Sequence, residues 1–187
     1  MISILFTRKD SIYKTLGVDC WDIERDAMKF KGDNVVICHP PCRLFSRLRG
    51  LSTAPEKEKQ LAYYSLELIR KNGGILEHPY PSLLWKEKKL PIGNEIDEFG
   101  GYTVSVNQNW FGAKFLKKTL LYIVGVNKND LPDIPLNFNA IEILISQSKK
   151  NSSAPYLRMN KRDETPIIMA KWLIEVAETI AMLKNKI

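Results

Sequence analysis

Two side chains in this sequence pair reactive chemistry with a telling position, the Cys42 thiol and the Glu77 carboxylate. Cys42 follows the run Val35-Val36-Ile37-Cys38-His39-Pro40-Pro41, in which a β-branched apolar segment is cut off by two prolines. A short apolar run of this kind suits a strand covered on both faces, and the prolines end it by fixing φ and removing backbone donors. Cys42 is therefore expected just past the carboxyl end of a central strand, where open α/β sheets hold their ligands. Glu77 ends a second such run, Ile75-Leu76-Glu77, ahead of His78-Pro79. If the two strands are parallel neighbours, thiol and carboxylate meet in one crevice. Arg43, Arg47 and Arg49 follow the cysteine closely, so an anionic partner is plausible, and cations nearby favour the thiolate. His39 can face a ligand or cap the turn, and the same choice holds for His78. The alternative for Cys42 itself is a packed thiol on a proline-stiffened loop.

The elements that must position these groups read as an alternation of strands and helices. Ile2 to Thr7 is a first strand, and Asp10 or Ser11 can cap a short helix that Gly17 ends. Val18 to Ile23 is a second strand, with Asp22 at its end, and Val35 to Cys38 a third. Ser52, Thr53 and Pro55 open a helix bearing Leu61, Tyr64, Leu66 and Ile69, which Asn72-Gly73-Gly74 stops. Ile75 to Glu77 is a fourth strand, cut off at His78-Pro79. Tyr102 to Val106 and Leu120 to Val124 are further strands, and Ile141 to Ile145 is a strand or short helix. Thr165 is expected to cap a last helix with Pro166 at its first position and an apolar stripe of Ile167, Ala170, Leu173, Ile174, Ala177 and Ile180. The pattern predicts one α/β domain over residues 1–187, a mostly parallel sheet with helices on both faces. The polar, basic segment 146–162 is expected to be a mobile loop.

Composition narrows the function classes. At 187 residues, 44% hydrophobic and 26% charged, the chain is ordinary globular protein long enough for a proper core. No apolar run approaches the roughly 20 residues of a membrane span, so no membrane partner is expected. Met1 to Phe6 is too short for a signal sequence, and three cysteines without one predict free thiols in a reducing, cytoplasmic setting. With two histidines and no Cys-x-x-Cys pair, no metal site is expected. The net charge of +7 favours an anionic partner, a nucleotide or nucleic acid. Trp85, Trp110 and Phe111 can stack on a base or fill the core. The oligomeric state is open, a homodimer included.

The order of motifs resembles the DNA cytosine-5 methyltransferases. Pro41-Cys42-Arg43-Leu44-Phe45-Ser46 is similar to that family's Pro-Cys-Gln-x-Phe-Ser, and Glu77-His78-Pro79 stands where Glu-Asn-Val is expected. Asn109-Trp110-Phe111-Gly112 through Thr119 to Gly125 is similar to a later segment, with Lys117 and Lys118 in the region of the family's arginines. Thr165-Pro166 and the helix after it are similar to the last motif. The resemblance implies a Rossmann-like methyltransferase core, Cys42 as the nucleophile that attacks C6 of a pyrimidine, and Glu77 as the group that holds the ring. It also implies S-adenosylmethionine as cofactor, with Asp22 matching the acid that bonds a ribose hydroxyl in many α/β nucleotide sites. Thr7, Arg8, Lys9, Ser11, His39, Pro41, Arg43 and His78 then complete the expected ligand site, and Arg47, Arg49, Lys117 and Lys118 the expected phosphate contacts.

Three departures bear on this expectation. The family's first strand ends in a glycine-rich turn, whereas this chain has Thr7-Arg8-Lys9-Asp10-Ser11, whose cations suit a phosphate better than a sulfonium. The interval from Asp22 to Cys42 leaves little room for an adenine-binding strand and helix. About forty residues between Gly125 and Thr165 are too few for a full target-recognition domain. The rival expectations are a non-catalytic nucleotide-binding protein, such as a sequestering protein of a virus or mobile element, and an accessory protein that binds the DNA backbone.

Overall fold

The computed structural model describes residues 1–47, 49–137 and 164–186. Its centre is a six-stranded sheet in the order β2-β1-β3-β4-β6-β5, formed by β1 (Ile2–Leu5), β2 (Asp19–Trp21), β3 (Val35–Cys38), β4 (Gly74–Pro79), β5 (Tyr102–Asn107) and β6 (Lys118–Val124). The first four run parallel to one another, while β6 runs antiparallel to both β4 and β5. The chain leaves β1 to one side for β2 and returns to the other side for β3, so the sheet reverses its winding between β1 and β3. Ligands of open α/β sheets settle at such a switch point.

Alternation along the strands builds two cores. Ile4, Val35, Ile37, Ile75, Leu121 and Ile123 face α3 (Ile167–Lys184) through Met169, Trp172, Leu173, Val176 and Ile180. Leu5, Val36, Cys38, Leu76 and Tyr122 face α1 (Lys59–Asn72) through Ala62, Leu66 and Ile69, joined by Leu84 and Trp85 of α2 (Leu83–Glu87). Helices thus cover both faces, as the continuous apolar strands require. Gly74, at the start of β4, has φ +145, and a Cβ there would sit 2.0 Å from the Val36 carbonyl oxygen, so only glycine lets β4 meet β3 at this register.

Several boundaries differ from expectation. The helix after β1 is a 3-10 turn, Ile12–Leu16, and Ser11 gives it no side-chain cap. β4 does not stop at Glu77: the strand runs through His78 to Pro79, because β6 pairs Glu77 with Leu121, His78 with Leu120 and Pro79 with Thr119. Thr165 does not cap α3. Pro166 holds the cap position without a side-chain bond, and Ile167 is exposed while Met169, Trp172 and Val176 are buried. The segments expected at Ile141 to Ile145 and at 146–162 lie outside the described residues. Among the described residues no helix is long and apolar enough to cross a membrane.

Candidate functional site

The carboxyl ends of β1, β3 and β4 open into a cleft of about 1290 Å³. Register explains the convergence: Leu5 pairs with Cys38 and Cys38 with Leu76, so β1 and β3 finish level, and β4 carries Glu77 and His78 past the same edge. From β1 come Thr7 and Arg8, from β3 come His39, Pro41 and Cys42, and from β4 come Glu77 and His78. The His39 amide donates to the Leu5 carbonyl at 3.1 Å, which keeps the chain in the sheet for one more residue before the prolines turn it away. Cys42 then starts a turn in which the Phe45 amide donates to its carbonyl at 2.9 Å, and buried Phe45 anchors the turn. The Cys42 thiol is half-buried and forms no disulfide.

Glu77 is the best-defined group of the cleft. Its Oε2 lies 3.2 Å from His39 Nδ1, and its Oε1 accepts from Gln108 Nε2 at 3.4 Å. His39 Nε2 in turn lies 3.1 Å from the Tyr13 hydroxyl. Gln108 also reaches Thr119 Oγ1 at 3.3 Å, which anchors its amide to β6. Burial by itself raises the Glu77 pKa, but the positive charge of Lys117 and the His39 hydrogen bond reverse this and hold it down to about 2. An ionised carboxylate only accepts hydrogen bonds. His39 Nδ1 therefore carries the hydrogen that points at Glu77, and in the neutral ring Nε2 accepts from Tyr13. Burial raises the Tyr13 pKa well above the phenol range, so its hydroxyl keeps the proton it donates.

His78 is fully buried beneath this layer. Its Nδ1 lies 2.7 Å from Ser82 Oγ, and its Nε2 faces the Pro40 and Pro41 carbonyls without a well-aligned bond. Burial lowers its pKa to about 4 and keeps it neutral. The ring packs edge-on against Phe45, so His78 supports the Pro-Pro-Cys turn from below.

The other expected site residues divide. Thr7 lines the cleft with its Oγ1 buried and without a hydrogen-bond partner, after Phe6, which takes a left-handed φ of 62. Ser11 and Arg8 line it too, but the Arg8 guanidinium is paired with Asp10 at 2.8 and 2.9 Å. Arg43 lines it and is paired with Glu58. Lys117 lines it beside Glu77. Lys9 is not in the lining and pairs with Glu24 at 2.5 Å. Arg47 and Arg49 are exposed on the segment between the lining residues Ser46 and Leu51. Lys118 points to the outside, 4.1 Å over the Tyr80 ring.

Asp22 is not brought to the cleft. Its carboxylate is taken up by Lys14 at 2.6 Å and by the Glu24 and Arg25 amides at 2.9 and 3.2 Å, which ties down the turn after β2. Trp85 and Phe111 are buried in the core, and neither they nor Trp110 line the cleft. Cys38 is buried, its thiol pushed up to about 12 by desolvation, and Cys20 packs against the other core.

Sequence reasoning missed Tyr13 and Gln108. Tyr13 had a faint signal, a lone aromatic on the turn after β1; Gln108 had none, since its role depends on the β5–β6 hairpin reaching β4. Among the described residues no group of three His, Cys, Asp or Glu side chains is placed to hold a metal. The site does not fit S-adenosylmethionine in the way the resemblance implies. The acid meant for its ribose is spent, a left-handed Phe6 stands in place of a glycine turn, and residues 23–34 carry only a 3-10 turn, Ala27–Lys29, where an adenine-binding strand is expected. Compared with protein-family models and with curated proteins, the sequence matches none.

Proposed function

We propose that this chain is a methyltransferase-like protein that binds a nucleotide or nucleic-acid base between Cys42 and Glu77, and that Cys42 adds to the ring of a cytosine. One observation carries the reading: a thiol and an ionised, firmly held carboxylate share one cleft at the switch point of the sheet. Among the described residues Glu77 has one donor on each oxygen, while a carboxylate accepts about four hydrogen bonds, which leaves capacity for a ligand.

The chemistry follows from that charge state. The Cys42 thiolate forms a bond to C6, the C5=C6 electron pair moves to the C4–C5 bond, and N3 takes a proton from water. Neutral cytosine offers the carboxylate one N–H beside the N3 lone pair, which it repels. The adduct offers two adjacent N–H groups, N3–H and the exocyclic amine. Glu77 therefore binds the adduct better than the free base, and differential binding of this kind is what accelerates a step. C5 of the adduct is an enamine carbon that takes up a proton from solvent and gives up its own hydrogen to water as a proton; the thiolate then leaves C6 with the C–S electron pair, the C5=C6 bond re-forms and N3 returns its proton to water.

The pairing of Arg8 with Asp10 and of Arg43 with Glu58 favours a base in the cleft over a phosphate gripped by these arginines. Exposed Arg47 and Arg49 suit a backbone running past the mouth, with an affinity that falls as salt rises.

The test is hydrogen exchange at C5 of deoxycytidine monophosphate and of a short cytosine-bearing single strand in heavy water, followed by NMR. The wild type should exchange H5 and Cys42→Ser should not. Retention of H5 with wild-type protein on both substrates overturns the reading.

A further inference from the structure

Resting on the base-binding reading, we infer that Tyr13, His39 and Gln108 form a buried donor chain that keeps Glu77 an acceptor-only carboxylate and thereby selects cytosine over uracil. The three come from separate elements: the 3-10 turn after β1, the end of β3 and the residue after β5.

The logic of the chain is directional. In the neutral ring, a Tyr13 hydroxyl that donates to His39 Nε2 leaves the ring hydrogen on Nδ1, the nitrogen that faces Glu77 at 3.2 Å. Without the Tyr13 hydroxyl, the other tautomer becomes available and sets the Nδ1 lone pair against the carboxylate. The carboxylate would then lose the donor on Oε2, and its charge would be held less well. Gln108 acts in the same sense on the second oxygen. Its Nε2 serves both Glu77 and Thr119, and a flipped amide would turn its oxygen on both acceptors. The charged and titratable groups facing Glu77 are His39 from β3, Lys117 from the approach to β6, His78 from β4 itself and Tyr13 from the 3-10 turn. A second hydrogen-bond donor at the carboxylate would suit the lone pair of N3 in cytosine and the carbonyls of uracil alike. An acceptor-only Glu77 rejects uracil, whose single N3–H is flanked by two carbonyl oxygens directed at the same charge. Tyr13, His39 and Gln108 are thus positioning residues, and Glu77 is the group that touches the base.

The experiment needs no ligand for its first arm. The Glu77 side-chain carboxyl is titrated by 13C NMR in the wild type, Tyr13→Phe, Gln108→Leu and His39→Asn, with circular dichroism to establish that each is folded. The wild type and His39→Asn, whose amide can still donate to Glu77, should stay ionised to the acid limit of the fold. Tyr13→Phe and Gln108→Leu should titrate at clearly higher pH. Equal titration of all four overturns the inference, and if Tyr13→Phe fails to fold, Gln108→Leu against His39→Asn decides it. In the second arm the C5 exchange of cytosine nucleotides should fall about tenfold in Tyr13→Phe, roughly the worth of one hydrogen bond in a charged chain, with its acid limb displaced upward. The preference for cytidine over uridine monophosphate should narrow together with it. A wild type that does not exchange, with the titration as expected, removes the base chemistry and leaves the donor chain standing. A wild type that exchanges, with variants unshifted in titration and pH profile, removes the donor chain alone.

Discussion

The two sides of the cleft lie along one edge of the sheet but resolve their charges in opposite ways. On the β1 side, Arg8 closes on Asp10, and beyond the cleft, after β2, Asp22 closes on Lys14, so the charged groups there neutralise one another. On the β3–β4 side, Glu77 is held by His39, Gln108 and the field of Lys117, and among the described residues each oxygen has a single donor. The first arrangement holds a turn in place. The second holds a charge at the surface of a cavity for something else to meet. The lesson is that cations in a sequence motif do not define a ligand site until their partners are known.

The comparison breaks most sharply at Cys42. Replacing it by alanine should abolish C5 exchange while leaving cytosine nucleotide binding measurable by calorimetry; retained exchange would move the chemistry elsewhere. Glu77→Gln should cost the exchange rate about 10² to 10³, the usual effect of losing a preorganised electrostatic contact in a buried site, and should weaken binding much less.

Acid sharpens the same contrast. His78 is held at about 4 against an ordinary 6.5, and Glu77 at about 2 against an ordinary 4.5. In both cases the unfolded chain binds more protons than the folded one within those windows, so stability falls as pH falls. The melting temperature should decline below pH 6.5 through His78 and again below pH 4.5 through Glu77. His78→Gln should remove the first decline and leave the second; a flat profile from pH 7 to 4 in the wild type would contradict the burial of these groups.

The smallest effects belong to the β1 side. Arg8→Ala breaks an ion pair that is largely in water and should leave the melting temperature nearly unchanged, with cytosine binding altered less than twofold. Asp22→Asn should lower the melting temperature by loosening the turn after β2 and leave C5 exchange unchanged. A large loss of binding in either variant would return the β1 turn to the ligand site.

Much of this arrangement was legible in the residues. Val35 to Cys38 with its two prolines marked a central strand and its end, and Asn72-Gly73-Gly74 marked the helix stop and the strand start, because glycine and proline act on the backbone locally. The meeting of Cys42 and Glu77 was legible as a condition, that their strands be parallel neighbours, and β3 and β4 meet it. What was not legible depended on distant pairing. The continuation of β4 through Pro79 needs β6, the role of Gln108 needs the hairpin, and the fate of Asp22 and Arg8 was decided by nearby partners whose geometry no spacing reveals. The role of Tyr13, an aromatic on a short turn, depends on β3 bringing His39 beside its hydroxyl.

The central claim, that Cys42 and Glu77 act on one base, is tested most directly by trapping. An oligonucleotide carrying 5-azacytosine, whose ring nitrogen makes C6 more electrophilic, is incubated with the protein and the product is read by intact mass and peptide mapping. The account predicts a single adduct on Cys42, absent in Cys42→Ser and strongly reduced in Glu77→Gln. An adduct on Cys20, none on any cysteine, or one on Cys42 that Glu77→Gln leaves unchanged would contradict it.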